Sequence, residues 1–200
     1  MKKLLIASTN KGKIKEVRAQ LADFDFEIIG LENYPELMNI EEDGNSFKEN
    51  SLKKARVSAE KTGLITLADD SGLEVDYLNG RPGIYSARYS GDNATDEKNN
   101  KKLLKELKGV NKAKRSARFR CVMALYDPLN NFKETVSGSC EGRILKSPRG
   151  KNGFGYDPLF YVESKGKAMA ELPAEIKNEI SHRAVALNKM KKVIRERYCK

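Results

Sequence analysis

Cysteine is scarce in this chain. Its three cysteines, Cys121, Cys140 and Cys199, form no CxxC pair and keep no spacing with the single histidine, His182, so no zinc site is indicated. An odd count fits a reducing compartment, and the expectation is a cytoplasmic protein. Long apolar runs are missing too. Nothing approaches the ~20 residues of a membrane helix. The run Leu4–Ala7 after Lys2 and Lys3 falls short of the roughly 7–15 residues of a signal-peptide core, so it is read as a first strand. No Walker A glycine spacing occurs. Linkers, repeats and low-complexity segments are absent as well, which predicts a single domain over residues 1–200 with two lobes.

What the chain does have is positive charge. Lys and Arg number 38 against 28 Asp and Glu, a net +10. Such a balance suits nucleic acid, nucleotides or plain solubility. Much of it lies in Lys98–Arg115 and the last ten residues, where solvated helix faces are the simplest explanation.

Strand and helix patterns alternate through the first half: a strand at Lys3–Ser8, a helix near 12–22, a strand at Phe26–Gly30, and a helix near 47–62 opened by a capping box, Ser46 with Glu49, and closed by Gly63. A strand Leu64–Ala68 follows. The second half predicts a helix over Thr95–Lys108, then strands Ala117–Tyr126 and Phe132–Glu141 joined by the turn DPLNN, and a last helix capped at Ser181. Parallel β-α-β units followed by a hairpin predict an α/β fold with a mixed sheet.

The segment TLADDSGLEVDYLNGRPGIYSARYSG, residues 66–91, carries the most chemistry. It reads as a buried strand ending in Asp69 and Asp70, with a Ser71-Gly72 turn behind them. Ligands of α/β sheets gather at the carboxyl ends of strands. Adjacent residues of a strand face opposite ways, so one of the two carboxylates is expected in a given site. Ser8, Thr9, Asn10, Lys11, Gly12 and Lys13 join the first strand to the first helix, where free amides and lysines suit a phosphate. An ordinary Asn10 cap with solvent-facing lysines explains them equally well. Glu41, Glu42 and Asp43 form a carboxylate cluster suited to magnesium, or an acidic turn. The stretch PRGKNGFGYDP, residues 148–158, crowds glycines, cations, aromatics and an acid, which favours a ligand loop with a stacking ring. His182 and Arg183 open the last helix with Lys177 a turn upstream, cations where the helix dipole disfavours them, so an anion or a base carbonyl would make sense of the group.

In order, STNKGK, EDGNSFKENSLKKA, LADDSGLEVDYLNGRPGIYSARYSG, PRGKNGFGYDPLF, and AEL followed by KNEISHRA resemble the inosine triphosphate pyrophosphatase family over nearly the whole chain. The resemblance implies an elongated mixed α/β molecule with a groove between two lobes, usually a homodimer. It implies Mg²⁺-dependent hydrolysis of ITP, dITP or XTP to the monophosphate and pyrophosphate, clearing these nucleotides from the pool that feeds DNA and RNA. By position, Ser8–Lys13 would hold phosphates and Asp70 would activate water and bind metal. Glu42 would be the second metal carboxylate, with Glu41 beside it as the alternative, and Ser71 a substrate contact. Phe154, Gly155, Tyr156 and Asp157 would form the base and sugar pocket, completed by Lys177, His182 and Arg183. Ile176 and Tyr77 depart from the family pattern at positions assigned no role. Neither a membrane nor a stable nucleic-acid partner is expected. A nucleic-acid-binding module would need aromatics among its basic runs, and these contain almost none. A pyrophosphatase for other modified bases is the alternative enzyme reading.

Overall fold

The computed structural model describes residues 2–199. A seven-stranded open sheet runs in the order β2-β1-β3-β4-β5-β6-β7. Its strands are β1 (Lys2–Ile6), β2 (Phe26–Gly30), β3 (Ile65–Val75), β4 (Ser116–Asp127), β5 (Phe132–Ile144), β6 (Phe160–Val162) and β7 (Lys167–Ala168). The helices are α1 (Lys11–Gln20), α2 (Phe47–Thr62), α3 (Asp96–Glu106), α4 (Ala174–Ile180) and α5 (His182–Tyr198). Strand β1 pairs parallel with β2 and β3, whereas β6 pairs antiparallel with β5 and β7, so the sheet is mixed as expected.

The described residues fall into two compact units. One takes in Met1–Asp70, Cys121–Gly138 and Val185–Lys200 as far as these are described; the other is Ser71–Arg120 with Ser139–Ala184. In the first unit β1 is buried on both faces, as parallel strands are. Leu4 and Ile6 join Val17 of α1, Leu21 at its C-cap, and Ala186, Leu187, Met190 and Ile194 of α5. Leu5 faces the other way, onto Leu31 and Leu37. On that side α2 applies small residues, Ala55 and Ala59, to Ala7, Ala68 and Ala124, which allows close approach of helix to sheet. In the second unit Leu103 of α3 and Leu107 at its C-cap pack with Leu73, Val75, Phe119 and Phe160. Buried Arg115 donates to three carbonyls there, those of Leu107, Ile144 and Leu145, at 2.7 to 2.8 Å.

Three expectations change. Strand β3 does not stop at Ala68 but continues through Asp69-Asp70-Ser71-Gly72 to Val75. Gly72 is not left-handed, and the reversal falls later, at Asn79 (φ 54°) and Gly80 (φ 81°). The acids still lie just past the parallel pairing, because the β1–β3 register ends at Ile6 opposite Leu67. The capping box is also shifted: Ser46 accepts from the Glu49 amide, but Glu49 Oε2 takes the amide of Asn45 (2.8 Å) instead of that of Ser46. Finally, α4, β6 and β7 had no periodicity long enough to announce them.

Candidate active site

Within the first unit, a cluster of carboxylates and lysines gathers where α1, α2, β3 and the loop before α2 supply side chains. Asn10 caps α1, its Oδ1 accepting from the amides of Gly12 (2.9 Å) and Lys13 (3.1 Å). Ser8 Oγ accepts from the Asn10 amide at 3.2 Å. The Asn10 cap therefore forms, and three amides of the loop, those of Asn10, Gly12 and Lys13, have partners within it. Thr9, Asn10 and Lys11 are exposed. Lys11 and Lys13 are two residues apart on a helix of about 100° per residue, hence on opposite sides of α1. Lys13 turns to Asp69, Nζ to Oδ2 at 2.8 Å, which offsets the cost of a cation in a first helical turn. Lys11 instead lines an open cleft of about 630 Å³ with Ile14, Lys15, Arg18 and Glu32.

Asp70 is buried, with Oδ2 accepting from Asn50 Nδ2 at 3.0 Å. Lys54 of α2 lies against Glu42 and donates to the Asp69 carbonyl at 2.7 Å. Glu41 is exposed, so Glu42 is the acid of this loop that meets the cluster. Burial pushes the Asp70 carboxyl above its usual range, with Glu42 adding to the shift and Lys54, Asn50 and Lys13 opposing it. Burial alone would pull the Lys54 ammonium down, but Glu42, Asp69 and Asp70 together raise it. Both aspartates thus engage one set of lysines, although their side chains alternate along β3. Asn50 and Lys54, which lie within EDGNSFKENSLKKA, are assigned no role from the sequence. Their only signal was position, one and five residues beyond the cap-box glutamate.

In the second unit, Phe154 is partly exposed and sits among cations. Lys177 Nζ lies 4.6 Å from its ring centroid and Arg183 Cζ 5.6 Å. Asp157 Oδ2 accepts from the Phe154 amide (3.0 Å) and from Lys177 Nζ (2.7 Å). Lys177, Asp157, His182 and Arg183 are all buried. The His182 ring stacks on Phe119, centroids 4.8 Å apart and planes 17° from parallel. Helix α3 holds the loop, with Asp96 accepting from the Gly155 amide (2.6 Å) and Asn100 donating to the Gly155 carbonyl (2.9 Å). Gly153 has φ +78°, and a Cβ there would fall 2.0 Å from Asp157 Oδ2. Tyr156 is a core residue whose hydroxyl donates to the Ser86 carbonyl at 2.8 Å, so it frames the loop from beneath. Ser71 follows Asp70 directly on β3 and is half-buried.

The Ham1 family model matches residues 4–193. The chain belongs to the Ham1 family. It is 55% identical over 191 residues, 96% of each chain, to a protein of Geobacter sulfurreducens named dITP/XTP pyrophosphatase. A protein of the same name from Desulforamulus reducens is 49% identical over 98% of this chain and 97% of its own. Among solved structures, a HAM1 protein from Coxiella burnetii matches with a TM-score of 0.90 at 44% identity, covering 98% of this chain and all of that one. The Ham1 protein of Staphylococcus aureus gives 0.87 at 40% identity over 98% of this chain. Like those, this Ham1 chain has a mixed α/β sheet.

Among the described residues of this Ham1 protein, no three His, Cys, Asp or Glu side chains are grouped to hold a metal ion. Magnesium does not need three, because it usually takes one or two carboxylates and completes its shell with water and substrate phosphates. Glu42 and Asp70 fit that pattern: both are hard oxygen donors, and the Asp70 carboxyl is raised chiefly by burial, with repulsion from Glu42 adding to it. A divalent cation would relieve it.

Proposed function

We propose that this protein hydrolyses non-canonical purine nucleoside triphosphates, of the dITP, ITP and XTP class, to the monophosphate and pyrophosphate. The observation that carries the reading is the buried Asp70 carboxylate, raised by burial and by Glu42 and flanked by Lys13 and Lys54. A carboxylate with a raised pKa is a better proton acceptor than an exposed one. Asp70 takes a proton from a water molecule, whose oxygen bonds the α-phosphorus as the bond to the bridging oxygen of pyrophosphate breaks. Lys13 and Lys54 neutralise phosphate oxygens as charge shifts to the leaving group. On binding the triphosphate, Lys13 exchanges Asp69 for a phosphate oxygen. Glu42 and Asp70 would hold Mg²⁺, which when bound supplies charge neutralisation at the phosphates.

The Phe154 group takes the purine. Its ring offers a stacking face, and Lys177, His182 and Arg183 present donors suited to a 6-oxo group, which adenine lacks. The protein is proposed to act in the cytoplasm, as a homodimer, with no membrane or nucleic-acid partner. No helix among the described residues is long and apolar enough to cross a membrane. A panel of ITP, dITP, XTP, GTP and ATP assayed for pyrophosphate release, with and without EDTA, tests the reading. Turnover confined to the 6-oxo, non-canonical members, abolished by EDTA and restored by Mg²⁺, is the expected outcome; ATP turnover equal to ITP, or full activity in EDTA, defeats it.

A further inference from the structure

Asn50, in the first turns of α2, is fully buried and uses both ends of its amide. Its Oδ1 accepts from the Gly44 amide at 2.8 Å, and its Nδ2 donates to Asp70 Oδ2 at 3.0 Å. The main-chain amide of Asn50 bonds the Ser46 carbonyl at 3.1 Å, so the helix fixes the base of the side chain as well. Gly44 is a donor and cannot be otherwise, which sets the amide's sense: its oxygen faces the loop and its NH₂ faces the carboxylate. No proton can sit between Nδ2 and Asp70 Oδ2 except the one Asn50 supplies. The loop approaches so closely that a Cβ on Gly44 would lie 2.7 Å from Asn50 Oδ1. Glu42 is two residues before Gly44, so one side chain ties the loop bearing Glu42 to the strand bearing Asp70.

We propose that Asn50 is a positioning residue, a clamp that fixes the orientation of the Asp70 carboxylate and its separation from Glu42, so that the two acids meet one divalent cation in a single geometry. This rests on the metal role given above to Glu42 and Asp70. Neither a capping role nor core packing needs it: Ser46 already caps α2, and an apolar side chain would fill the same space without two polar partners.

Two measurements test the clamp, both on the whole protein. One is titration calorimetry of Mg²⁺ into the nucleotide-free protein, the other steady-state ITP hydrolysis at saturating Mg²⁺. Asn50→Leu keeps the volume and loses both bonds. Groups that orient metal ligands typically cost about 10- to 100-fold in metal affinity or activity when removed, and a loss of that size is expected here in Mg²⁺ affinity and kcat, with KM for ITP within about twofold of wild type. Gly44→Ala attacks the clamp from the loop side while leaving Asn50 in place, and serves if Asn50→Leu does not fold. Wild-type Mg²⁺ affinity and kcat in either folded variant overturns the proposal, as does a rise in KM with kcat unchanged. A wild-type protein that binds no Mg²⁺ and works fully in EDTA defeats the metal reading instead, and the clamp is then judged on kcat alone, an unchanged value in Asn50→Leu overturning it.

Discussion

Two buried ionic groups in this protein are built on different partners, one on carboxylates and the other on cations against an aromatic ring. The cluster around Asp70 concentrates carboxylates, three of them about Lys54 with Lys13 on Asp69. The cluster around Phe154 sets two cations, Lys177 and Arg183, at an aromatic ring, with Asp157 paired to Lys177. Gathered carboxylates suit a cation, and cations gathered at an aromatic face suit a ring with carbonyl acceptors. The same physics, ions out of water, thus prepares one region for a metal-bound phosphate chain and the other for a base. Catalysis and specificity should separate accordingly when each is damaged.

The largest effect is expected at Asp70. Asp70→Asn preserves shape and the position beside Asn50 but removes the proton acceptor, so kcat for ITP should fall about 10²- to 10⁴-fold in a folded protein. Near-normal kcat would remove Asp70 from catalysis. The second region should fail differently. Arg183→Ala is expected to lower kcat/KM for ITP about 10- to 100-fold, the scale of one lost charge-assisted hydrogen bond, and ATP far less, so that the two substrates converge. Lys13→Ala should instead lower every triphosphate by a similar factor. Equal losses for ITP and ATP in Arg183→Ala would make it a phosphate or framework residue and collapse the contrast.

A smaller effect lies in stability. Because the folded Asp70 pKa is raised, its contribution is fully present below the unfolded value near 3.9 and is lost as pH rises through the folded value. In metal-free protein, the melting temperature of Asp70→Asn relative to wild type should therefore increase between pH 4 and pH 7. Each kcal/mol is about 2–4 °C for a chain of this size. A difference that shrinks with pH would mean that the pairing with Lys54 and Lys13 outweighs burial.

The architecture was legible where the signal is local. Strand β2 and helix α2 start and end where their patterns and caps place them. What was hidden depends on partners far along the chain. Ser71-Gly72 reads as a turn locally, yet the Leu73 amide is held by Ser86 Oγ at 2.9 Å and Leu73 is buried, which keeps the chain extended. Lys54 is one of several cations on α2 until Glu42 and Asp69 are brought to it. Tyr156 resembles a stacking residue until the Ser86 carbonyl, 70 positions earlier, claims its hydroxyl. Sequence periodicity names faces of elements, whereas a site is a meeting of faces.

Gly153 and Gly155 flank Phe154 and share left-handed backbones, φ +78° and +62°, yet differ in what surrounds them. At Gly155 a Cβ would meet nothing within 4 Å, while at Gly153 it would strike the oxygen that ties Asp157 to Lys177. Tolerance to change should therefore be lopsided across a single aromatic residue. In a saturation library selected for dITP hydrolysis, Asn should survive at 155, since it accepts the left-handed conformation, and nothing but glycine at 153. One position records the rules of backbone geometry, and its neighbour records the shape of a carboxylate.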